Sequence, residues 1–281
     1  MGKRTECKKG RRKIGILVVA VIVLISSLWL WKVCCEKDAH RMPKSGYINI
    51  EEIVKKQNWS REEYKILREQ TGLSEAALQY LKQQGRQEEL IDLQKSYFQA
   101  VTIQCAPNTV ISCEEFLTDT AGNVVSGMQI PYVEDGDILI TNCSHCLGWR
   151  NGHAGIVIDA EKRLVLEAQV LGYPTVVTSL RRWEKYPSFV VLRLKDADTK
   201  ERAEIAAYAA EKMQGIPYRL TAGILKGRDE EIRGTQCAHL IWYVYQQFGY
   251  DLDSDGGVLI TPSDLAQSPR LFLIQEYGTG R

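Results

Sequence analysis

The apolar and polar residues of this chain follow different patterns in successive parts of the sequence. An unbroken apolar run covers Ile14–Val33, with no charged residue before Lys32. Residues 34–110 are mostly polar and carry apolar residues at helical spacing in short stretches. From about residue 111 onward, short β-branched runs between turn residues indicate strands, and longer helical patterns follow them. The patterns therefore predict four segments: residues 1–13, 14–33, 34–110 and 111–281.

The apolar run has the length of a transmembrane helix. Its 20 residues, at a rise of about 1.5 Å each, cover the roughly 30 Å of a bilayer core. Seven basic residues and one acidic residue precede it, which predicts that residues 1–13 form a cytoplasmic tail. A cleaved signal peptide is the alternative, but the run is longer than usual and no small-residue cleavage site follows it. We therefore predict a single-pass anchor in the cell membrane, with the rest of the chain outside the cytoplasm.

Residues 34–110 are predicted to form a stalk followed by a spacer of short helices. Ser60 and Glu63 have the spacing of a capping box, so a helix is expected to begin there and to end at Gly72. A second helix is expected after Ser74, and a third over Gln87–Gln99. Because their apolar faces are modest and carry no recognisable chemistry, we interpret these helices as a spacer, or as a lid packed on the following domain.

Residues 111–281 combine predicted strands with helices. The predicted strands are Asp137–Thr141, His153–Asp159, Arg163–Ala168, Thr175–Leu180, Phe189–Lys195 and a last one near Leu271–Gln275. Helices are predicted over Thr199–Gln214, between Thr235 and Gly249, and from Pro262 onward. The alternation of apolar and polar residues is partial, as in a sheet covered mainly on one side. This order predicts an α+β domain in which helices pack against one face of an antiparallel sheet.

Composition narrows the function classes only a little. The net charge is +1 and 25% of the residues are charged, so we predict no nucleic-acid partner. The chain has eight cysteines, too few for a disulfide scaffold in a chain of this length. Cys34 and Cys35 lie at the predicted membrane edge. Three states remain as alternatives for these thiols: acylated, oxidised and unmodified.

Cys237 lies where a nucleophile would be activated. It falls in the first turn of the helix predicted between Thr235 and Gly249, where the helix dipole and the free N–H groups favour a thiolate. Leu240 and Ile241 follow it at helical spacing, so the sulfur lies on the stripe that faces the core. The plainer interpretation is a small buried hydrophobic residue. A catalytic role needs a base.

Four histidines are available as bases: His40, His145, His153 and His239. His239 follows Cys237 by two residues, which places it about 160° away around the helix. His153 begins a predicted strand, and Glu167 on the next strand is expected opposite or next to it on the same face. A carboxylate there would orient the imidazole. Cys237, His153 and Glu167 can therefore be assembled as nucleophile, base and orienting group.

Several motifs occur in order between Gly136 and Ser268: GDILIT, GHAGIVID, LVLEA, GIPY, QCAHLIWYVYQQFGYDLD and TPSDLAQS. In this order they resemble the YiiX-type, circularly permuted relatives of the NlpC-type cell-wall cysteine peptidases. The resemblance implies a permuted papain-like fold and no cofactor. It also implies that Cys237 is the nucleophile, His153 the base and Glu167 the polar third residue. By the same resemblance Tyr218 lines the substrate pocket, and the Cys237 N–H contributes to the oxyanion hole.

The segment Asn142–Cys146 departs from that pattern, since Cys143 and Cys146 are separated by two residues, one of which is His145. The residue types and spacing suit half of a zinc site, but a second ligand pair is missing. A Cys143–Cys146 or Cys105–Cys113 disulfide, or free thiols, are the alternatives outside the cytoplasm. We predict no metal at this segment.

Two classes of function remain open for residues 111–281. The first is a cysteine hydrolase that cuts peptide or amide bonds, with peptidoglycan stem peptides as the expected substrate. A variant of it acts on lipids or other acyl groups, as the lecithin–retinol acyltransferase relatives do, and Cys237 and His239 have the C-x-H spacing of that group. The second is a silent binding module in the envelope. The joint presence of Cys237, His153 and Glu167 favours the hydrolase.

Overall fold

The computed structural model describes residues 14–29, 39–224 and 232–280. Residues 14–29 form the first helix, α1. Four short helices come next: α2 (Glu51–Val54), α3 (Arg61–Thr71), α4 (Glu75–Gln83) and α5 (Glu89–Tyr97). The strands are β1 (Thr102–Pro107), β2 (Ser112–Thr118), β3 (Ile138–Thr141), β4 (Ser144–Cys146), β5 (Trp149–Arg150), β6 (His153–Asp159), β7 (Leu164–Glu167), β8 (Val176–Ser179), β9 (Phe189–Leu194) and β10 (Leu271–Tyr277). A 3₁₀ helix covers Leu180–Lys185, and the later helices are α6 (Thr199–Lys212), α7 (Cys237–Gln246) and α8 (Pro262–Ala266).

The main sheet has six antiparallel strands in the order β10-β9-β3-β6-β7-β8. Each was predicted from the sequence, and the observed bounds differ from the predicted ones by at most two residues at either end. The α+β class with an antiparallel sheet is therefore confirmed. Strand β6 lies between β3 and β7, and its first residue, His153, pairs with Thr141 of β3.

Helices cover both faces of this sheet, and the prediction that they pack against one face is wrong. One core places Ile138, Ile156 and Leu192 against α6, α7 and α8. The residues beside them, Leu139, Val157 and Val191, face the opposite core, which they share with α3, α4 and α5. Every residue of β3 and β9 is buried, because neither face of these strands meets water.

Helices α3 to α5 are joined to the edge of the sheet. Ser60 and Glu63 form the predicted capping box at the start of α3, and Gly72 ends that helix with φ +68°. The Gly72 carbonyl accepts a hydrogen bond from the Glu276 N–H on β10 at 2.8 Å, and a Cβ at Gly72 would lie 2.2 Å from the Glu276 oxygen. Only glycine fits this approach. The segment interpreted as a spacer therefore shares a core with the sheet.

A second sheet was not predicted. It has four strands in the order β1-β2-β4-β5, and the predicted boundary between residues 110 and 111 falls in the turn between β1 and β2. Charged residues hide these strands in the sequence, since Glu114 and Glu115 of β2 are both buried. Arg182 binds Glu114, and Arg150 binds Glu115 with two hydrogen bonds of 2.7 and 2.9 Å. Paired carboxylates thus occupy positions where the strand pattern calls for apolar residues.

A buried ion pair fixes the start of β3. Arg193 on β9 donates two hydrogen bonds to Asp137, at 2.7 and 2.8 Å, and both side chains are almost completely buried. Next to this pair, the Tyr245 hydroxyl of α7 donates a hydrogen bond to the Gly136 carbonyl. The pair and the tyrosine together set the position of α7 on the sheet, and α7 carries Cys237.

Residues 14–29 are the described part of the predicted membrane span. The rest of the span, residues 30–33, lies outside the described residues, as do the predicted tail 1–13 and Cys34 and Cys35. Within the described part of the chain, no helix is both long enough and apolar enough to cross a membrane. The membrane anchor stays a prediction.

Candidate active site

Cys237 is the first residue of α7 and so lies in the first turn, as the sequence pattern predicts. The N-cap is Gln236 rather than Thr235: the Gln236 side-chain oxygen accepts a hydrogen bond from the Ala238 N–H at 2.9 Å. The Cys237 sulfur lies 3.5 Å from the same oxygen, and the Gln236 amide nitrogen donates to the Ile260 carbonyl at 3.0 Å. Gln236 thereby holds the backbone around the sulfur, which is 4% exposed.

His153 and Glu167 meet at the end of the main sheet. His153 is the first residue of β6, and Glu167 is the last residue of β7 and pairs with Gly155. Because Gly155 and His153 share a face, the Glu167 side chain reaches back to the imidazole. The distance from His153 Nε2 to Glu167 Oε2 is 2.6 Å, and both side chains are buried. The predicted arrangement of these two residues is therefore what the structure contains.

The absence of a side chain at position 155 makes room for this contact. A Cβ at Gly155 would lie 2.7 Å from Val165 Cγ1, 2.9 Å from Trp183 Cζ2 and 3.3 Å from Glu167 Cγ. The Trp183 ring also stacks on His153, with centroids 5.5 Å apart and planes inclined by 14°. The imidazole is thus held by an aromatic face as well as by a carboxylate.

The second oxygen of Glu167 has a partner of its own, the hydroxyl of Thr178 on β8. Burial alone would raise the pKa of Glu167. The hydrogen bonds from His153 and Thr178 and the charges of His153 and Arg182 outweigh burial, so the pKa lies below its ordinary value. Glu167 is therefore a carboxylate at neutral pH.

The other side of the imidazole faces Cys237. Burial alone would lower the pKa of His153, but hydrogen bonds to Cys237 and Glu167 and the charges of both raise it to about 10. With Nε2 engaged by Glu167, Nδ1 is the nitrogen left for the thiol. His153 thus carries its proton at neutral pH, between a sulfur and a carboxylate. The structure therefore places the three residues in one row, with His153 between Glu167, to which it is hydrogen-bonded, and Cys237.

Tyr218 lies beside this row. Its backbone forms a parallel bridge with Thr235, two residues before Cys237. Burial raises the pKa of the Tyr218 hydroxyl above its ordinary value, and the charges of Cys237 and Cys146 raise it further. The phenol is therefore close to the nucleophile, where the resemblance places it, and its role as a substrate-binding residue stays a prediction.

His239 lies away from the row. Its Nδ1 is 3.0 Å from the Thr235 hydroxyl, and its ring packs near Trp242 and Tyr243. This agrees with its predicted place on the other side of the helix. His239 is therefore a packing residue and lies outside the contacts of the imidazole row.

The cysteines of the Asn142–Cys146 segment are separate from each other. Cys143 is buried with its sulfur 3.4 Å from the Ser188 hydroxyl, and burial raises its pKa to about 11. Cys146 is partly buried beside Tyr218, and Cys113, Cys143 and Cys146 are free thiols. His145 lies 3.1 Å from Glu115. None of the disulfides considered from the sequence is formed in this structure.

Among the described residues, a single acidic group has the geometry of a metal site: Asp253, Asp255 and Asp264. It belongs to the loop after α7 and to the start of α8, away from the cysteines considered for zinc. Asp264 also closes a capping box with Thr261. Helix capping alone therefore explains the position of the Asp264 carboxylate.

Sequence reasoning missed Thr178, Trp183 and Gln236. Thr178 is two residues from Val176, the partner of Glu167 across β7 and β8, so strand alternation indicates it once the register is known. Trp183 lies in a 3₁₀ helix, and no pattern in the sequence predicts that its ring meets His153. Gln236 is a poor N-cap by residue preference, whereas Thr235 is a good one.

No model of a known protein family matches the chain, and no curated protein matches it either. One solved structure is similar: the metalloprotein yiiX from Escherichia coli O157:H7, DUF1105. The alignment has 17% identity and a TM-score of 0.39, and it covers 51% of this chain and 98% of that chain. That solved structure is of the YiiX type, which the sequence motifs resemble.

Proposed function

We propose that the chain is a cysteine hydrolase that cuts peptide or amide bonds. The observation that carries the proposal is the buried row in which His153 bonds to Cys237 on one side and to Glu167 on the other. A thiol beside a protonated imidazole and a carboxylate has the parts of a thiolate–imidazolium pair. A silent binding module has no need of a buried imidazolium.

In the proposed reaction the Cys237 thiolate attacks the carbonyl carbon of the substrate. A carbon–sulfur bond forms, and the carbonyl electrons move to the oxygen. His153 then gives its proton to the leaving amine as the carbon–nitrogen bond breaks, which leaves an acyl-enzyme. Water, deprotonated by His153, attacks the acyl carbon and releases the acid and the thiolate.

The oxyanion needs a donor at the start of α7. The N–H of Cys237 is one of the first helical N–H groups, which have no acceptor within the helix. It lies beside the sulfur and can bind the oxygen in the tetrahedral intermediate. The Gln236 amide is not free for this purpose, because it already bonds to Ala238 and Ile260.

The proposed substrate is the stem peptide of peptidoglycan. The proposal draws on the motif resemblance to cell-wall peptidases, and it fits the prediction of a membrane anchor with the domain outside the cytoplasm. Acyl esters or amides of lipids are the second substrate class, because the same thiolate chemistry applies to them.

The test uses the full chain and its Cys237→Ala variant. Each is incubated with muropeptides and, separately, with phospholipid vesicles, and the products are analysed by mass spectrometry. The proposal expects shortened muropeptides with the wild type and none with Cys237→Ala. Cleaved lipid in place of cleaved muropeptide moves the substrate to the second class. No product with either, from a chain whose Cys237 is not activated, supports the silent module.

A further inference from the structure

A cleft opens beside the catalytic row, between the second sheet and the ends of the main sheet. Asn151, Gln169 and Tyr218 all line it. Asn151 lies two residues before His153, and Gln169 lies two residues after Glu167. Tyr218 forms a backbone bridge with Thr235, which lies two residues before Cys237. Each element that supplies a member of the row therefore also supplies a wall of the cleft. A group held in the cleft is next to the reacting bond.

The lining of the cleft is uncharged. Among the described residues that form it, none is Asp, Glu, Lys or Arg. Hydroxyl and amide side chains alternate with aliphatic ones, and three of these are notably open to solvent: Ile111 at 36%, Leu171 at 44% and Leu220 at 48%. A carboxylate or an ammonium in this cleft would lose its hydration without gaining a counter-charge, which is unfavourable.

His145 is a buried polar residue in this lining. It lines the cleft and is 1% exposed, yet neither ring nitrogen makes a hydrogen bond. Its Nε2 is 3.1 Å from Glu115 without the alignment of a hydrogen bond, and both oxygens of Glu115 are bound by Arg150. Nδ1 has no neighbour of this kind among the described residues, and a buried ring nitrogen without a hydrogen bond is costly unless a ligand supplies one.

We propose that this cleft binds an uncharged segment of the substrate, an amide group with a small aliphatic side chain, and that His145 hydrogen-bonds to that amide. The inference rests on the proposed function and adds a specificity to it: substrates with a neutral residue beside the cut bond are preferred over those with a charged one. The aliphatic side chain packs on Ile111, Leu171 and Leu220. The charges of Glu115 and Arg150 behind His145 cancel each other, so the cleft does not attract an ion.

The probes for this proposal are three alkylating agents of Cys237. Iodoacetamide carries nothing for the cleft, iodoacetyl-alanine amide carries a neutral aliphatic amide, and iodoacetyl-alanine carries a carboxylate in its place. Alkylation rates at Cys237 are read by mass spectrometry of the peptides, which separates this residue from Cys146. In the full wild-type chain, the neutral probe is expected to react about tenfold faster than iodoacetamide, as one hydrogen bond and a packed methyl group allow. The carboxylate probe is expected to gain nothing.

Variants assign that preference to the cleft. His145→Phe is expected to remove most of the gain for the neutral probe, while His145→Gln, which keeps a donor and an acceptor, retains part of it. In both variants the gain is taken as the ratio of the neutral-probe rate to the iodoacetamide rate, so that a change in the reactivity of Cys237 itself cancels. Leu220→Lys, at an exposed position, is expected to favour the carboxylate probe. Val258→Lys is the matched control, because Val258 is 67% exposed and does not line the cleft.

The outcomes separate this proposal from the proposed function. If Cys237 is activated but the neutral probe is no faster than iodoacetamide, the cleft proposal is overturned and the hydrolase stands. An unchanged gain in His145→Phe also overturns it. If Cys237 reacts with iodoacetamide no faster than an ordinary thiol, the proposed function fails, and the ratio between the neutral and the carboxylate probe still tests the cleft.

Discussion

Thr178 donates a hydrogen bond to the oxygen of Glu167 that His153 leaves free. With both oxygens engaged, the carboxylate cannot rotate away from the imidazole. The contact also helps to keep the pKa of Glu167 low against its burial, because a carboxylate accepts this bond better than a carboxylic acid does. Thr178 is therefore a positioning residue that acts on His153 through Glu167.

Replacing Thr178 tests this role. Thr178→Val keeps the shape of the side chain but loses the donor, and it is expected to lower the alkylation rate of Cys237 at neutral pH by up to about tenfold. Thr178→Ser keeps the hydroxyl and is expected to retain most of the rate. If Thr178 had a merely structural role, the two variants would differ in stability alone and would have equal alkylation rates.

Gly155→Ala is expected to disturb the contact between His153 and Glu167. The added Cβ would collide with Val165, Trp183 and Glu167, all of which are buried. Overpacking of this kind costs about 1–3 kcal/mol of stability, and the turnover of an amide substrate should fall with it. Gly46→Ala is the control, since nothing lies within 4 Å of the added atom. Equal unfolding midpoints and equal turnover for both variants would contradict the packing described here.

The stability of the protein should depend on the proton of His153. Because the folded protein holds this proton to a pKa of about 10 and the ordinary value is 6.5, folding is favoured while the proton is bound. This stabilisation is complete below pH 6.5 and is lost as the pH rises to about 10. Urea unfolding of wild type and His153→Asn from pH 6 to pH 10 should give curves that converge with rising pH. Parallel curves would show that His153 is not protonated in the folded state.

Asp137→Ala is expected to destabilise the fold strongly. It removes two hydrogen bonds of the buried Arg193, which keeps Glu134 and Tyr132 as partners, so the loss is expected at the lower end of the range of about 3–5 kcal/mol for a broken buried pair. Glu52→Ala, which breaks an exposed pair with Lys55, is the matched control and should change the stability little. Chemical unfolding measures both, and similar losses for the two variants would contradict the assigned role of Asp137.

The strands of the main sheet and the three site residues could be predicted from the sequence because their signals are local. His153–Asp159 is a β-branched run with turn residues on both sides, and its observed bounds equal the predicted ones. Strand alternation then places Glu167 on the face of His153. The helix pattern after Cys237 places it in the first turn of α7, although the observed N-cap is Gln236 rather than the expected Thr235.

The remaining features depend on contacts between distant parts of the chain. Glu114 and Glu115 make β2 look exposed until Arg182 and Arg150 are known to pair with them. The second covered face of the main sheet depends on Gly72 meeting Glu276, which no local pattern announces. The stacking of Trp183 on His153 has the same origin. Tertiary contacts of this kind override local patterns.

The reactivity of Cys237 tests the central claim most directly. The full chain is treated with iodoacetamide near neutral pH, in wild type and in His153→Ala, and each cysteine is followed by mass spectrometry. Cys143, whose pKa burial raises to about 11, is the slow internal reference. The account predicts that Cys237 in the wild type reacts faster than an ordinary exposed thiol, and that His153→Ala loses this advantage. A Cys237 that reacts no faster than an ordinary exposed thiol in both proteins would contradict the account.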